Sequence, residues 1–224
     1  MRTKITNGII LTPFRTIKNG TIVVENERIL GIHEGNIDVP DAVEINADGQ
    51  YISPGFIDIH VHGGGGHDFM DGTEEAFLGV AQLHARYGTT ALVPTTLTAE
   101  KEDLLQTLNV YEIANRNNTK GAAFLGIHLE GPYFALSQRG AQDPRYIRNP
   151  NPAEYEEILA HSSSIIRWSA APELEGAIAF GQRLSQKGIL AAIAHTDALY
   201  DEVFAAYENG YSLVTHLYSA MSEV

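Results

Sequence analysis

Four histidines and one glutamate, His60, His62, Glu130, His195 and His216, are spread over a 224-residue chain, and each stands at the end of a short β-type run. Neutral imidazole and carboxylate are donors that zinc, iron and manganese accept. In a (β/α)8 barrel the active site is assembled at the C-terminal ends of the strands, so ligands far apart in sequence meet at one place. The chemistry open to such a set is that of a divalent ion acting as a Lewis acid.

His60 and His62 are two residues apart on a strand and therefore point to one face, with Asp58 one step deeper on that face. Asp58 is read as a residue that orients a ligand rather than one that binds metal. Glu130 closes the apolar run 124–129 and precedes Gly131 and Pro132. A carboxylate placed there is costly unless it is paired or ligated, so a bridging position between two ions is expected, against the plainer reading of an exposed loop glutamate. His195 follows the apolar run 189–194, and His216 follows 212–215. His128 is expected to be a hydrogen-bonded interior residue. His33, His84 and His161 are expected to be solvated or packed, His67 lies in a glycine loop near the site, and Asp197 reads as a helix cap.

The elements that must position these residues change character near residue 52. Residues 4–11, 20–24 and 28–33 read as short strands, separated by turn chemistry such as Lys18-Asn19-Gly20. Residues 1–52 are therefore expected to form a small β domain, a β-sandwich. From 53 to 224 strands and helices alternate. Strands are expected at 56–61, 91–95, 123–130, 165–170, 189–195 and 212–216, and helices at 74–87, 101–115, 153–160, 175–187 and 201–208. Alternating units with apolar strands imply a parallel sheet covered on both faces. A doubly wound open sheet competes with the barrel and predicts a phosphate-binding glycine loop that opens a helix. Gly63–Gly66 leads instead to His67-Asp68. The fold class is thus α/β, a (β/α)8 TIM-type barrel. Six of its eight strands are counted before Val224, so the barrel is expected to be incomplete, with exposed edges that invite aggregation.

A formal charge of -13 argues against a nucleic-acid partner. The absence of cysteine rules out a thiolate metal site, leaving His, Asp and Glu as donors. The first residues lack the apolar run of a signal peptide and no stretch approaches a membrane span, so a cytoplasmic protein with no membrane partner is expected.

The run Pro54-Gly55-Phe56-Ile57-Asp58-Ile59-His60-Val61-His62 resembles the opening strand of the amidohydrolase superfamily. Three further strings are more specific: His128-Leu129-Glu130-Gly131-Pro132-Tyr133-Phe134, Ala194-His195-Thr196-Asp197-Ala198 and Thr215-His216-Leu217-Tyr218-Ser219-Ala220-Met221. These resemble the N-acetylglucosamine-6-phosphate deacetylase family within that superfamily. The resemblance implies that Glu130, His195 and His216 hold a main ion, and that His60 and His62 hold a second with Glu130 between the two. Zinc, iron or manganese, one or two per subunit, would serve. Strand four, 165–171, has no lysine to bridge two metals, which disfavours cyclic-amide hydrolysis of the dihydropyrimidinase type.

The resemblance further implies hydrolysis of N-acetylglucosamine 6-phosphate to glucosamine 6-phosphate and acetate in amino-sugar catabolism, by a homodimer. It places the proton-transferring aspartate beyond Val224, so no catalytic acid or base is expected in this chain. Ala141, Gln142, Ser219 and Ala220 are expected to contact the sugar phosphate. Two of these depart from the family pattern, Gln142 standing for histidine and Ser219 for asparagine. A galactosamine-type or unphosphorylated N-acyl amino sugar is therefore the alternative substrate, and an inactive sugar-phosphate-binding fragment the alternative of another class.

Overall fold

The computed structural model describes residues 1–222 and divides the chain into two compact units, Met1–Gly55 and Phe56–Val224. In the first unit, β1 (Arg2–Leu11), β2 (Thr16–Glu25), β3 (Arg28–His33), β4 (Val43–Asn46) and β5 (Tyr51–Ile52) form one mixed sheet. β2 runs antiparallel to β1 and β3, while β4 and β5 pair with β1 in parallel. Ile10, Ile17 and Ile22 make its core, with Ile5, Val24 and Ile52 packed around them. The expected β-sandwich is one sheet among the described residues. The Lys18-Asn19-Gly20 sequence, expected as a turn, lies inside β2, where Asn19 takes a left-handed φ of 52°. The β1–β2 ladder shifts register opposite it, between Gly8 and Ile10. Asparagine tolerates that conformation better than most residues, so the strand bulges rather than ends.

The second unit carries β6 (Phe56–Val61), a small hairpin of β7 (Gly63–Gly64) and β8 (His67–Asp68), α1 (Glu74–Arg86) and β9 (Thr89–Pro94). It continues through α2 (Lys101–Asn117), β10 (Ala123–Phe124), β11 (Ile127–Glu130), α3 (Pro152–His161), β12 (Ile165–Ala170), α4 (Ala177–Gln186), β13 (Leu190–Ile193), α5 (Tyr200–Glu208) and β14 (Tyr211–Val214). β6 pairs in parallel with β9, and β9 with β10; β11, β12, β13 and β14 then pair in sequence, all parallel. A bridge between Thr95 and His128 joins the two groups. Each strand thus lies beside its successor, which is barrel order; a doubly wound sheet reverses direction at a switch point.

Period-2 alternation divides the strand residues. On β11, Ile127 and Leu129 join the apolar layer under the helices, whereas His128 and Glu130 face the opposite way. On β12, Trp168 and Ala170 join that layer, and Arg167 and Ser169 take the polar side. The apolar layer is continuous: Phe77 and Val80 of α1, Leu104, Leu108 and Tyr111 of α2, Ile158 of α3 and Phe180 and Leu184 of α4 are all buried in it. Each such side chain contributes about 1.5–3 kcal/mol by leaving water. Local chemistry starts the helices. Thr73 caps α1 by accepting from the Ala76 N–H at 3.2 Å, and Asn151 caps α3 at 2.9 Å with Pro152 following. On β6, Phe56, Ile57 and Ile59 are each more than half exposed.

The expected third strand, 123–130, is broken by Gly126 at φ 138°. A Cβ at that position would lie 2.4 Å from Ile166 Cγ2 and 3.0 Å from the Ser164 carbonyl oxygen. Only glycine fits where the chain steps from β10 to β11. Gly126→Ala should therefore destabilise the protein by about 1–3 kcal/mol, read as a lower urea midpoint at unchanged m-value. An unchanged midpoint would show that the step is not sterically fixed.

Candidate metal centre

Glu130 is the last residue of β11 and is 2% exposed. Four imidazoles face its carboxylate. His60 Nε2 lies 3.6 Å, His195 Nε2 3.6 Å and His216 Nε2 3.3 Å from Oε1, and His62 Nε2 lies 3.2 Å from Oε2. All five residues expected at the site are thus brought together. They form two donor groups that share Glu130, one with His60 and His62 and the other with His195 and His216, the ligand atoms within each lying no more than 4.8 Å apart.

The strands do not run to the last two histidines, as the sequence suggested. β13 ends at Ile193 and β14 at Val214, and His195 and His216 follow with left-handed φ of 47° and 34°. Each backbone curls past its strand and turns the ring onto Glu130. Such conformations are uncommon outside glycine and cost about 1–3 kcal/mol, so surrounding contacts must hold them. Glu173 holds the first turn, accepting from Thr196 Oγ1 at 2.6 Å and from the Asp197 N–H at 2.7 Å. The second turn is closed by the Ser219 N–H donating to the His216 carbonyl at 2.8 Å.

Outward hydrogen bonds fix which nitrogen faces the carboxylate. His195 Nδ1 pairs with the Gln138 carbonyl at 2.8 Å, His216 Nδ1 with the Ser219 carbonyl at 2.9 Å and His62 Nδ1 with the Thr95 carbonyl at 3.2 Å. A carbonyl only accepts, so each Nδ1 carries its hydrogen and each neutral ring presents the Nε2 lone pair inward. His195 and His216 then face each other Nε2 to Nε2 at 3.2 Å. Glu130 Oε1, buried beside them, has no hydrogen-bond donor among the described residues. Three lone pairs converging without a donor are mutually repulsive unless a cation lies among them. The donor set therefore fits a divalent ion, and the backbone carbonyls are the partners that orient ligating histidines.

The same crowding governs titration. Burial works to raise the Glu130 carboxyl, but pairing with His195, His216 and His62 in their protonated forms outweighs it and holds the group well below the usual carboxylate range. His60 is pushed down to about 4, first by burial, against the attraction of Glu130. Burial also works to lower His62, yet its contact with Glu130 leaves it raised. His216 is raised chiefly because its protonated form donates to Glu130.

Other side chains differ from expectation or were missed. Asp58, expected to orient an imidazole, accepts the His60 backbone N–H at 3.1 Å. Asp197 caps no helix: α5 starts at Tyr200, and the carboxylate accepts from Ser137, Gln138 and Ser222. His67 stays out of both donor groups and packs where a Cβ on Gly79 would meet it at 2.9 Å. Ala141 and Ser219 are exposed, whereas Gln142 is buried and donates to Glu130 Oε2 at 3.0 Å. His128 is interior, as expected, 2.7 Å from Ser169 Oγ. Arg167, passed over in the sequence, is buried beneath the site. It donates to Thr215 Oγ1, which lies 2.9 Å from Ser169 Oγ. Burial and then the Arg167 charge push His128 well below its ordinary pKa, keeping it neutral. Arginine at an inward strand position was the available signal.

An amidohydrolase family model matches residues 51–224. The chain belongs to the amidohydrolase family. This amidohydrolase is 32% identical over 218 residues to the N-acetylglucosamine-6-phosphate deacetylase of Bacillus subtilis (strain 168), an alignment covering 95% of this chain and 55% of that relative. It is 34% identical over 176 residues to the N-acetylgalactosamine-6-phosphate deacetylase of Escherichia coli O157:H7, covering 78% and 47%. Among solved structures, the N-acetylglucosamine-6-phosphate deacetylase of Pasteurella multocida superposes with a TM-score of 0.91 at 26% identity, covering 100% of this chain and 58% of that one. A mutant of the Mycobacterium smegmatis enzyme in complex with N-acetyl-D-glucosamine-6-phosphate superposes with 0.89 at 32% identity, covering 100% and 57%. The chain spans about half the length of the curated relatives it matches. No helix among the described residues is long and apolar enough to cross a membrane.

Ligation needs neutral rings, and a raised histidine pKa means that protons compete for the site at higher pH than for a free imidazole. Metal affinity of this amidohydrolase should fall as pH drops toward and below the ordinary histidine value near 6.5, through His62 and His216. His60, neutral until about pH 4, should not contribute in that range. Zinc titrations at pH 6.5 in buffers of different ionisation heat should report net proton release. Equal heats in all buffers would contradict the assignment.

Proposed function

We propose that the protein is a metal-dependent deacetylase that converts N-acetylglucosamine 6-phosphate to glucosamine 6-phosphate and acetate in cytoplasmic amino-sugar catabolism. The observation that carries this reading is the convergence of the Glu130, His195 and His216 lone pairs without a donor among them. A divalent ion held there supplies Lewis-acid chemistry, acidifying water and polarising an amide carbonyl. Glu130, His195 and His216 would hold the main ion, and His60 and His62 a second; zinc, iron and manganese all suit these donors. Glu173 and the Gln138 and Ser219 carbonyls keep the rings oriented. In the overall reaction the amide C–N bond breaks, the acetyl carbon takes the oxygen of water, and the nitrogen leaves protonated as the amino sugar. Exposed Ser219, with Ala220 and Ala141 at the loops beside the ligands, is assigned to the sugar phosphate. Residues 1–52 serve as a small β domain and 53–224 as part of the barrel, in a homodimer.

A galactosamine-type substrate is the second reading. It is favoured by the 34% identity to the N-acetylgalactosamine-6-phosphate deacetylase over 78% of this chain.

The full-length protein loaded in turn with zinc, iron and manganese should release acetate from N-acetylglucosamine 6-phosphate. His195→Ala and His216→Ala should each lower kcat/KM by more than about a hundredfold. Acetate from N-acetylgalactosamine 6-phosphate instead would select the second reading. No acetate from either sugar phosphate with any of the three metals would refute the deacetylase assignment.

A further inference from the structure

Gln142 is 3% exposed, and both halves of its amide are engaged. The Thr98 N–H donates to Gln142 Oε1 at 2.7 Å, and Gln142 Nε2 donates to Glu130 Oε2 at 3.0 Å. These two bonds fix the amide without ambiguity. A backbone N–H can only donate, so the oxygen must face Thr98 and the N–H must face the carboxylate. Thr98 follows β9, Glu130 ends β11 and Gln142 lies on the long loop after β11, so one side chain ties three segments together at the donor set.

We propose that Gln142 is a positioning residue that sets the rotation of the Glu130 carboxylate and makes its two oxygens unequal as metal donors. This inference rests on the metal-centre reading above. Oε2 is shared between the Gln142 N–H and His62 at 3.2 Å, while Oε1 receives no hydrogen and faces His60, His195 and His216. A carboxylate torsion is soft, with broad two-fold wells. Without Gln142, His62, His195 and His216 offer the group only lone pairs, and no donor within hydrogen-bond distance would hold Oε1 toward His195 and His216 before the ion binds. With it, the carboxylate is held in its ligating orientation before metal arrives. An oxygen that already accepts a hydrogen bond is also the weaker donor, so the group formed by Oε1 with His195 and His216 takes the first ion.

Cobalt titration of the full-length protein tests this by affinity and by the visible absorption of the bound ion, neither of which depends on turnover. Gln142→Leu removes both hydrogen bonds at similar volume. Gln142→Met keeps the unbranched shape and similar volume but likewise loses both hydrogen bonds. Both variants should bind the first cobalt about 10- to 100-fold more weakly than the wild type, the range found when a ligand's supporting partner is removed, with an altered absorption envelope. If Gln142→Leu does not fold, the unbranched Gln142→Met decides the matter. Wild-type affinity and spectrum in the folded variants would overturn the proposal. Failure of the wild type itself to bind cobalt, zinc, iron or manganese would overturn the metal-centre reading, and this proposal with it.

Discussion

A buried carboxylate oxygen with no hydrogen-bond donor among the described residues is the constraint around which the second unit is organised. Glu130 Oε1 is closed off from water and faces the Nε2 atoms of His60, His195 and His216. An isolated carboxylate in such a place costs several kcal/mol. A protein can meet that cost with protons on the rings or with a metal ion. The backbone carbonyls on the outward nitrogens of His62, His195 and His216 favour the ion, because they fix the tautomer in which those three inward nitrogens are lone pairs.

Much of the surrounding structure follows from presenting those lone pairs. Parallel strands in sequential order place five side chains from distant parts of the chain on one rim. The left-handed backbones of His195 and His216 turn the rings from the strand axes onto Glu130, and Glu173 ties down the first of these turns. Beneath the rim, Arg167, Thr215, Ser169 and His128 form a buried polar chain that crosses from β12 to β14 and back to β11. One direction of donation satisfies it, from the guanidinium through the two hydroxyls to a neutral imidazole. The floor of the site is thereby polar without competing for metal.

The gathering of the five expected residues, the barrel order and the inward place of His128 were legible in the sequence, because strand periodicity and strand-end placement are local patterns. The small domain was legible only in part: β4 and β5 are too short to give an alternating signal, and Asn19 marks a bulge with the chemistry of a turn. What escaped was long-range. Gln142 reaches Glu130 across 12 residues and Arg167 reaches Thr215 across 48, and neither pairing leaves a periodic trace. The capping reading of Asp197 failed for the same reason, since its partners Ser137, Gln138 and Ser222 are distant in sequence. The left-handed turns at His195 and His216 were hidden because histidine, unlike glycine, does not announce a positive φ.

Anomalous diffraction at the zinc edge from crystals of the zinc-loaded protein probes the convergence of these lone pairs most directly. The expected result is a strong peak bonded at about 2.0–2.2 Å to Glu130 Oε1, His195 Nε2 and His216 Nε2. A zinc-loaded crystal with no peak between those three atoms, or with its only ion held elsewhere, would contradict it.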